Sequence, residues 1–446
     1  MKIQAERLLI LLALLAGIQM ARAQSTFIPL YSFTGGNDGA NPVAGLVQAS
    51  DGNFYGTTHE GGTNGYGTIF RITAAKVLTP LYSFTGGNDG ANPYAGLVQA
   101  SDGNLYGTTE YGGTNDAGVV FRITTSGALT PLYSFIGGHD GANPRGGLVQ
   151  ANDGNLYGTT ENGGTNFDGA IFRITTNGVL TPLYSFTDGH DGAFPEAALV
   201  QAHGGNLYGT TYEGGTNGYG VVFRITTNGV LTPLFSFTDA HDGAYPAASL
   251  VQANDGNLYG TTEDGGTNLA GAIFRITTNG VLTPLYSFTD GRDGASPEAA
   301  LVQAHDGNLY GTTYEGSTNG YGDIFRITTN GVLTPIYAFT DHSDGAEPLA
   351  GLALAVDGNL YGTALGGGNS GEGTIFELAL SPPALTILAE GHQIVLSWTA
   401  WANNYVLQST TSLALPTWVT VTNTVMGTTV TVTNSLPAQY FRLFNP

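Results

Sequence analysis

Gly96-Leu97-Val98-Gln99-Ala100-Ser101-Asp102-Gly103-Asn104-Leu105-Tyr106-Gly107-Thr108-Thr109 is one of seven copies of the same stretch. Its core, Gly-Asn-Leu/Phe-Tyr-Gly-Thr, begins at Gly52, Gly103, Gly154, Gly205, Gly256, Gly307 and Gly358, and every interval is 51 residues. A fixed period of this size is the signature of a repeat architecture. Around the core, each unit reads as four strands. In the second copy they are Gly96 to Ser101, Leu105 to Thr109, Val119 to Thr124 and Leu129 to Phe135. Asp102-Gly103-Asn104 joins the first two, and Asn-Gly pairs such as Asn177-Gly178 and Asn228-Gly229 join the last two; both tolerate the positive φ that tight hairpins require. No segment has an amphipathic helical period.

Working outward, the array opens with a lone fourth-strand segment, Ile28 to Phe33, and closes at Thr374 to Leu380 with a third strand and no fourth. The N-terminal strand can therefore complete the last unit. The expected fold is all-β: a seven-bladed β-propeller of four-stranded blades over residues 24–380, closed into a ring by its first strand. An open β-solenoid is the alternative, with coils usually shorter than these units. Residues 381–384, Ser-Pro-Pro-Ala, read as a linker. Residues 385–446 hold all three tryptophans, Trp398, Trp401 and Trp418, and about six short alternating runs, enough for a small β-sandwich.

Residues 1–23 read as a signal peptide: Lys2 and Arg7, an apolar run from Leu8 to Gly17, and Ala21-Arg22-Ala23 as a cleavage site. The expected location is outside the cell or on its surface, after a cut following Ala23. Loss of Lys2, Glu6, Arg7 and Arg22 would take the net charge from −21 to −23. Such acidity disfavours nucleic acid, which needs a basic footprint. No later segment reads as a membrane span. The chain has no cysteine, which excludes disulfides, thiolate metal sites and a cysteine nucleophile.

The units Asp-Gly-Asn-Leu-Tyr-Gly-Thr-Thr, Gly-Gly-Thr-Asn, Phe-Arg-Ile-Thr and Leu-Thr-Pro-Leu-Tyr-Ser-Phe resemble the GloVer tandem repeat of exported bacterial proteins over about residues 27–380. The C-terminal part, with Leu396-Ser397-Trp398, Tyr405 to Ser409 and Tyr440-Phe441-Arg442-Leu443, is similar to a fibronectin type III-like module. The resemblance implies export and a propeller-like fold. It implies no activity and no catalytic residues.

Function is expected on the face that carries the long loops, such as Gly86 to Pro93 and Glu110 to Gly118. Each loop of the first kind has an Asp-Gly pair, at Asp38, Asp89, Asp140, Asp191, Asp242, Asp293 and Asp344, and four add Asp188, Asp239, Asp290 or Asp341. Asp188, Asp191, Asp239, Asp242, Asp290, Asp293, Asp341 and Asp344 are the candidate cation ligands, and Ca²⁺ is the cation they would suit. The alternative is that each Asp closes an Asx-turn on its own backbone. His139, His190 and His241 share one loop position, a ligand set only if the loops fold over the axis. An acidic position follows the second strand, at Glu60, Glu110, Glu161, Glu213, Glu263 and Glu315. Aromatics accompany it at Tyr66, Tyr111, Phe167, Tyr212, Tyr219, Tyr314 and Tyr321, with Tyr94, Phe194 and Tyr245 on neighbouring loops. Glu110, Glu161, Glu263 and these seven aromatics form the candidate binding set, suited to stacking on sugars; packing of loop against loop is the alternative. No carboxylate pair stands out from the repeat, which weighs against a glycosidase. Arg71, Arg122, Arg173, Arg224, Arg275 and Arg326 suggest ion pairs or a solvated face, and Gln48, Gln99, Gln150, Gln201, Gln252 and Gln303 a polar channel. There is no phosphate loop or nucleophile elbow. The leading expectation is a secreted, non-enzymatic binding or scaffold protein for a surface glycan or extracellular protein. A polysaccharide hydrolase or lyase and a purely structural surface protein are the alternatives.

Overall fold

The computed structural model describes residues 25–380, 385–390, 393–398, 406–412, 417–421, 429–433 and 440–444. The expected signal peptide at 1–23, the expected linker at 381–384 and Trp401 lie outside the described residues. Among those described there is no helix, and hence none long and apolar enough to cross a membrane. The chain divides into two compact units, Phe27–Glu377 and one containing Leu378–Pro446.

The repeats form seven four-stranded antiparallel sheets. In the second sheet the strands are Val98–Gln99, Leu105–Thr109, Val119–Ile123 and Leu129–Ser134, in that spatial order. The first strand is shorter than its sequence suggests, because only Val98 and Gln99 pair with Tyr106 and Leu105. The seventh sheet takes its fourth strand from the N-terminus: Thr26–Ser32 lies beside Thr374–Ala379.

One contact repeats at every junction. The phenylalanine that follows a fourth strand packs edge-on against the phenylalanine in the third strand of the next sheet. Phe84–Phe121, Phe135–Phe172, Phe186–Phe223, Phe237–Phe274, Phe288–Phe325 and Phe339–Phe376 all have ring centroids 5.2–5.4 Å apart. The seventh such pair, Phe33–Phe70 at 5.3 Å, joins the last sheet to the first. The sheets therefore follow one another in a closed cycle, a β-propeller. The glycine of Tyr-Gly-Thr makes room for this core: a Cβ at Gly107 would stand 2.7 Å from Phe121 Cζ and 2.8 Å from Leu97 Cδ2.

The channel-side glutamines are staples between sheets. Each accepts a backbone N–H from the preceding sheet at 2.7–2.8 Å, as Gln99 does from Ser50 and Gln48 from Val356 of the last sheet; the junction of the sixth and seventh sheets has Leu354 instead. On the short-turn side, Asp51 accepts from Asn53 N–H at 3.0 Å and from Tyr55 O–H at 2.8 Å, and Arg71 supports its charge. The bonds from Asn and Tyr to the aspartate recur in six of the seven sheets; the fourth has Gly204 instead of the aspartate, and the seventh has Glu377 instead of the arginine.

The C-terminal unit has two three-stranded sheets. Thr386–Glu390, Gln393–Ser397 and Thr429–Thr433 form one, and Val419–Thr420, Val406–Thr410 and Tyr440–Phe444 the other. Leu396, Trp398 and Val430 cluster with Leu407, Phe441 and Leu443, so both sheets contribute to one apolar core.

Candidate functional site

Antiparallel order places the second-to-third and fourth-to-first connections on the same side of every sheet, and short bridges such as Ala91 to Tyr111 tie them together. Two repeat positions of these loops converge on the ring centre. One follows the loop proline: Val43, Tyr94, Arg145, Glu196, Ala247, Glu298 and Leu349. The other follows the second strand: His59, Glu110, Glu161, Tyr212, Glu263, Tyr314 and Leu365. In all seven copies the N–H of this second residue donates to the carbonyl two residues before the first, as Glu110 does to Asn92 at 3.1 Å. That bond fixes the two side chains beside each other at the mouth of the ring.

The mouth is polar and asymmetric. Arg145 Nε lies 3.1 Å from Glu110 Oε1 and 3.1 Å from Glu161 Oε2, and its NH1 lies 3.5 Å from Glu196 Oε1. The guanidinium also sits 5.1 Å above the Tyr94 ring. His59 Nε2 is 3.6 Å from Glu110 Oε2. Tyr212 shares a hydrogen bond with Glu263, and Tyr314 donates to Glu347 at 3.4 Å. Charges from non-adjacent sheets act on one another here: Tyr94 of the second repeat feels Glu196 of the fourth and Glu298 of the sixth. At the two inward positions the seventh repeat has only Leu349 and Leu365.

This arrangement splits the carboxyl groups. Glu110 is 3% exposed, and burial opposes its charge, yet His59 and Arg145 hold it below the ordinary glutamate range. Glu298 is pushed up to about 8, first by burial and then by Glu263 and Glu196. Glu196 rises to about 7, chiefly through burial that Arg145 only partly counters. Burial also raises Glu161, against Arg145, and Glu263, against its bond to Tyr212. The mouth therefore combines an ionised carboxylate with carboxylic acids that keep their protons near neutral pH.

Sequence reasoning merged two positions that the structure separates. Glu110, Glu161 and Glu263 occupy the inward register with Tyr212 and Tyr314. Glu60, Glu213 and Glu315 stand one residue later and are exposed, because neighbouring residues on extended chain face opposite ways. The other aromatics serve elsewhere. Tyr66 packs under Gly86 of the next loop; Tyr219 lies edge-on to Tyr245 at 5.8 Å, which in turn lies 5.1 Å from Tyr212. Tyr111 is 40% exposed beside Glu110, Tyr321 is half-buried, and Phe167 is 70% exposed at a loop tip. Three residues that sequence reasoning missed, Arg145, Glu196 and Glu298, break the repeat at the position after the proline. Aligning the seven copies on that proline exposes them, and they give the mouth the unlike carboxyl groups that no repeat-wide pair supplied.

The loop aspartates turn backward rather than forward. Asp89 accepts from Tyr82 O–H at 2.9 Å, from Thr85 N–H at 2.9 Å and from the Thr85 hydroxyl. Asp293 and Asp344 do the same, Asp242 accepts from Thr238, and Asp191 accepts from Tyr184 and Thr187. Each carboxylate thus locks its loop to the strand before it. Their companions Asp188, Asp239, Asp290 and Asp341 hold positive φ angles of 54–60°. His139, His190 and His241 each pair with a threonine of their own repeat at 3.2–3.3 Å. Among the described residues, no three His, Asp or Glu side chains are grouped to hold a metal ion.

The profile of the Gloeobacter/Verrucomicrobia repeat matches residues 17–205, 136–303 and 199–397. No curated protein sequence matches the chain. Among solved structures, a periplasmic gluconolactonase from Pseudomonas aeruginosa is 18% identical, with 77% of this chain and 98% of that one covered and a TM-score of 0.47. A protein of unknown function from Dyadobacter fermentans is 14% identical, covering 67% of this chain and 96% of that one with a TM-score of 0.43.

Proposed function

Because the chain belongs to the Gloeobacter/Verrucomicrobia repeat family, we propose that it is an exported, seven-bladed β-propeller that binds a glycan at its loop-side mouth. The observation that carries this reading is the mixture of donors and acceptors converging there. Protonated Glu196 and Glu298, Arg145 and the tyrosine hydroxyls can donate; Glu110 can accept. Sugar hydroxyls present alternating donors and acceptors, and aromatic rings such as Tyr94, Tyr212 and Tyr314 offer faces for their C–H surfaces. In this reading the C-terminal unit is a fibronectin type III-like sandwich that spaces or attaches the propeller, and the first 23 residues are removed on export. A glycan array with the purified protein tests it. Binding should fall several-fold, up to about tenfold, on Tyr212→Ala or Tyr314→Ala, the size of one lost aromatic contact. Unchanged binding in both variants would sink the reading.

One observation favours a second reading, polysaccharide cleavage. Glu110 is held ionised while Glu298 keeps its proton, and two carboxyl groups in unlike environments are what acid–base cleavage of a glycosidic bond requires. Turnover of a bound polysaccharide that disappears in Glu298→Gln would establish it.

A further inference from the structure

At the inner edge of each junction a threonine of one sheet clamps the loop of the next. The hydroxyls of Thr57, Thr159, Thr210, Thr261, Thr312 and Thr363 donate to the carbonyls of Ala95, Ala197, Ala248, Ala299, Ala350 and Ala44 at 2.9–3.2 Å. The seventh clamp is absent. Thr108 is fully buried, its hydroxyl has no hydrogen-bond partner, and the residue at the acceptor position is Gly146 rather than alanine.

The loop has moved. A Cβ at Gly146 would overlap the Thr159 hydroxyl of its own sheet and stand 2.6 Å from the Ala197 carbonyl oxygen, so alanine does not fit where glycine sits. A Cβ at Gly96 would lie 3.1 Å from the Gly45 carbonyl oxygen, at Gly45 2.8 Å from that of Gly351, and at Gly351 3.0 Å from that of Ala300. At Gly147 the corresponding distance, to Gly96, is 3.8 Å. Residues 145–147 thus stand away from the second sheet and close to the third and fourth. This is the one loop with an arginine directly after its proline, and the Arg145 Nε is equidistant, at 3.1 Å, from Glu110 and Glu161.

We propose that Gly146 is the positioning residue of the mouth. By lacking a Cβ it lets residues 145–147 settle toward the third sheet, gives up the Thr108 clamp, and centres the Arg145 guanidinium among Glu110, Glu161 and Glu196. The inference rests on the reading of the mouth as the functional site, but its test needs no ligand. The first experiment is a titration of the glutamate side-chain carboxyls by carbon-detected NMR in Gly146→Ala. With its loop pushed back to the register of the other six, Arg145 no longer serves three carboxylates at once, and the Glu110 titration should move upward. An unchanged Glu110 titration overturns the proposal. The second uses threonine pairs and survives a misfolded Gly146→Ala. Thr108→Val should lower the melting temperature clearly less than Thr159→Val, because only the latter breaks a clamp. Equal losses would mean that Thr108 is bonded and the loop undisplaced, and would overturn the proposal. If no glycan binds, the functional reading fails while both measurements still decide the role of Gly146.

Discussion

On the short-turn side, the Asp51–Asn53–Tyr55 network recurs in six of seven sheets. On the loop side, the residue after the proline is Val43, Tyr94, Arg145, Glu196, Ala247, Glu298 and Leu349 in turn. Both regions hang on the same strands. The first holds a turn that every sheet must close, so each copy meets the same requirement for partners. The second points into a shared space where no backbone group depends on the side chain. Identity there is free to differ, and side chains from separate repeats act together. Repetition of the scaffold thus leaves the mouth as the place where the seven copies can become one asymmetric site.

The largest test of this contrast is in the scaffold. Phe172→Ala removes one member of a repeated pair and should cost about 3–5 kcal/mol in urea unfolding. Phe121→Ala and Phe274→Ala should cost the same to within about 1 kcal/mol, since their surroundings are copies. Widely different losses would break the claim that the junctions are equivalent.

Equivalent chemistry at the mouth should instead have opposite signs. Glu298 keeps its proton in the folded protein up to about pH 8, whereas the unfolded chain releases it near the ordinary glutamate value. Its burial therefore lowers stability progressively as pH rises between those limits, and the penalty is absent in acid. Glu298→Gln should stabilise the protein on the order of 2 kcal/mol at pH 8 and leave it unchanged at pH 4. Glu110 is depressed, so its contribution is present at neutral pH and fades as pH falls through its folded value. Glu110→Gln should lower the melting temperature at pH 7 and much less near pH 3. If both variants shift stability in the same direction at pH 8, the mouth is not divided as described.

The smallest expected effect concerns a loop tip. Phe167 is 70% exposed with φ at +70°, where four other repeats have glycine. Bulky residues are strained in that region. Phe167→Gly should raise stability by about 1 kcal/mol or less. A loss would show that the ring packs on something the exposed tip does not reveal.

The sheets were legible because a 51-residue period survives without insertion and hairpin residues punctuate it. The strand that completes the seventh sheet was also legible, since a fourth-strand sequence stood alone at the front. The mouth was only partly so. Glu110, Glu161, Glu263, Tyr212 and Tyr314 were found because they follow a recognisable strand, but a one-residue offset merged them with the outward Glu60, Glu213 and Glu315. Arg145, Glu196 and Glu298 were invisible to a search for recurring residues, because what marks them is that they do not recur. Gly146 was hidden for a different reason: among so many glycines, only the geometry of its junction separates it from the rest.

Joining Thr26–Ser32 to Thr374–Ala379 has a consequence in time. The bond from Asn369 N–H to Ser32 Oγ spans 337 residues of chain. Thr26–Ser32 leaves the ribosome long before Thr374–Ala379, and until the two meet both present bare edges. Local sheets can form early, but the final junction must wait for a contact of very high sequence separation, which slows folding and lengthens exposure to aggregation. The slow step in assembling this protein should therefore be closure of its last sheet, however fast the others form.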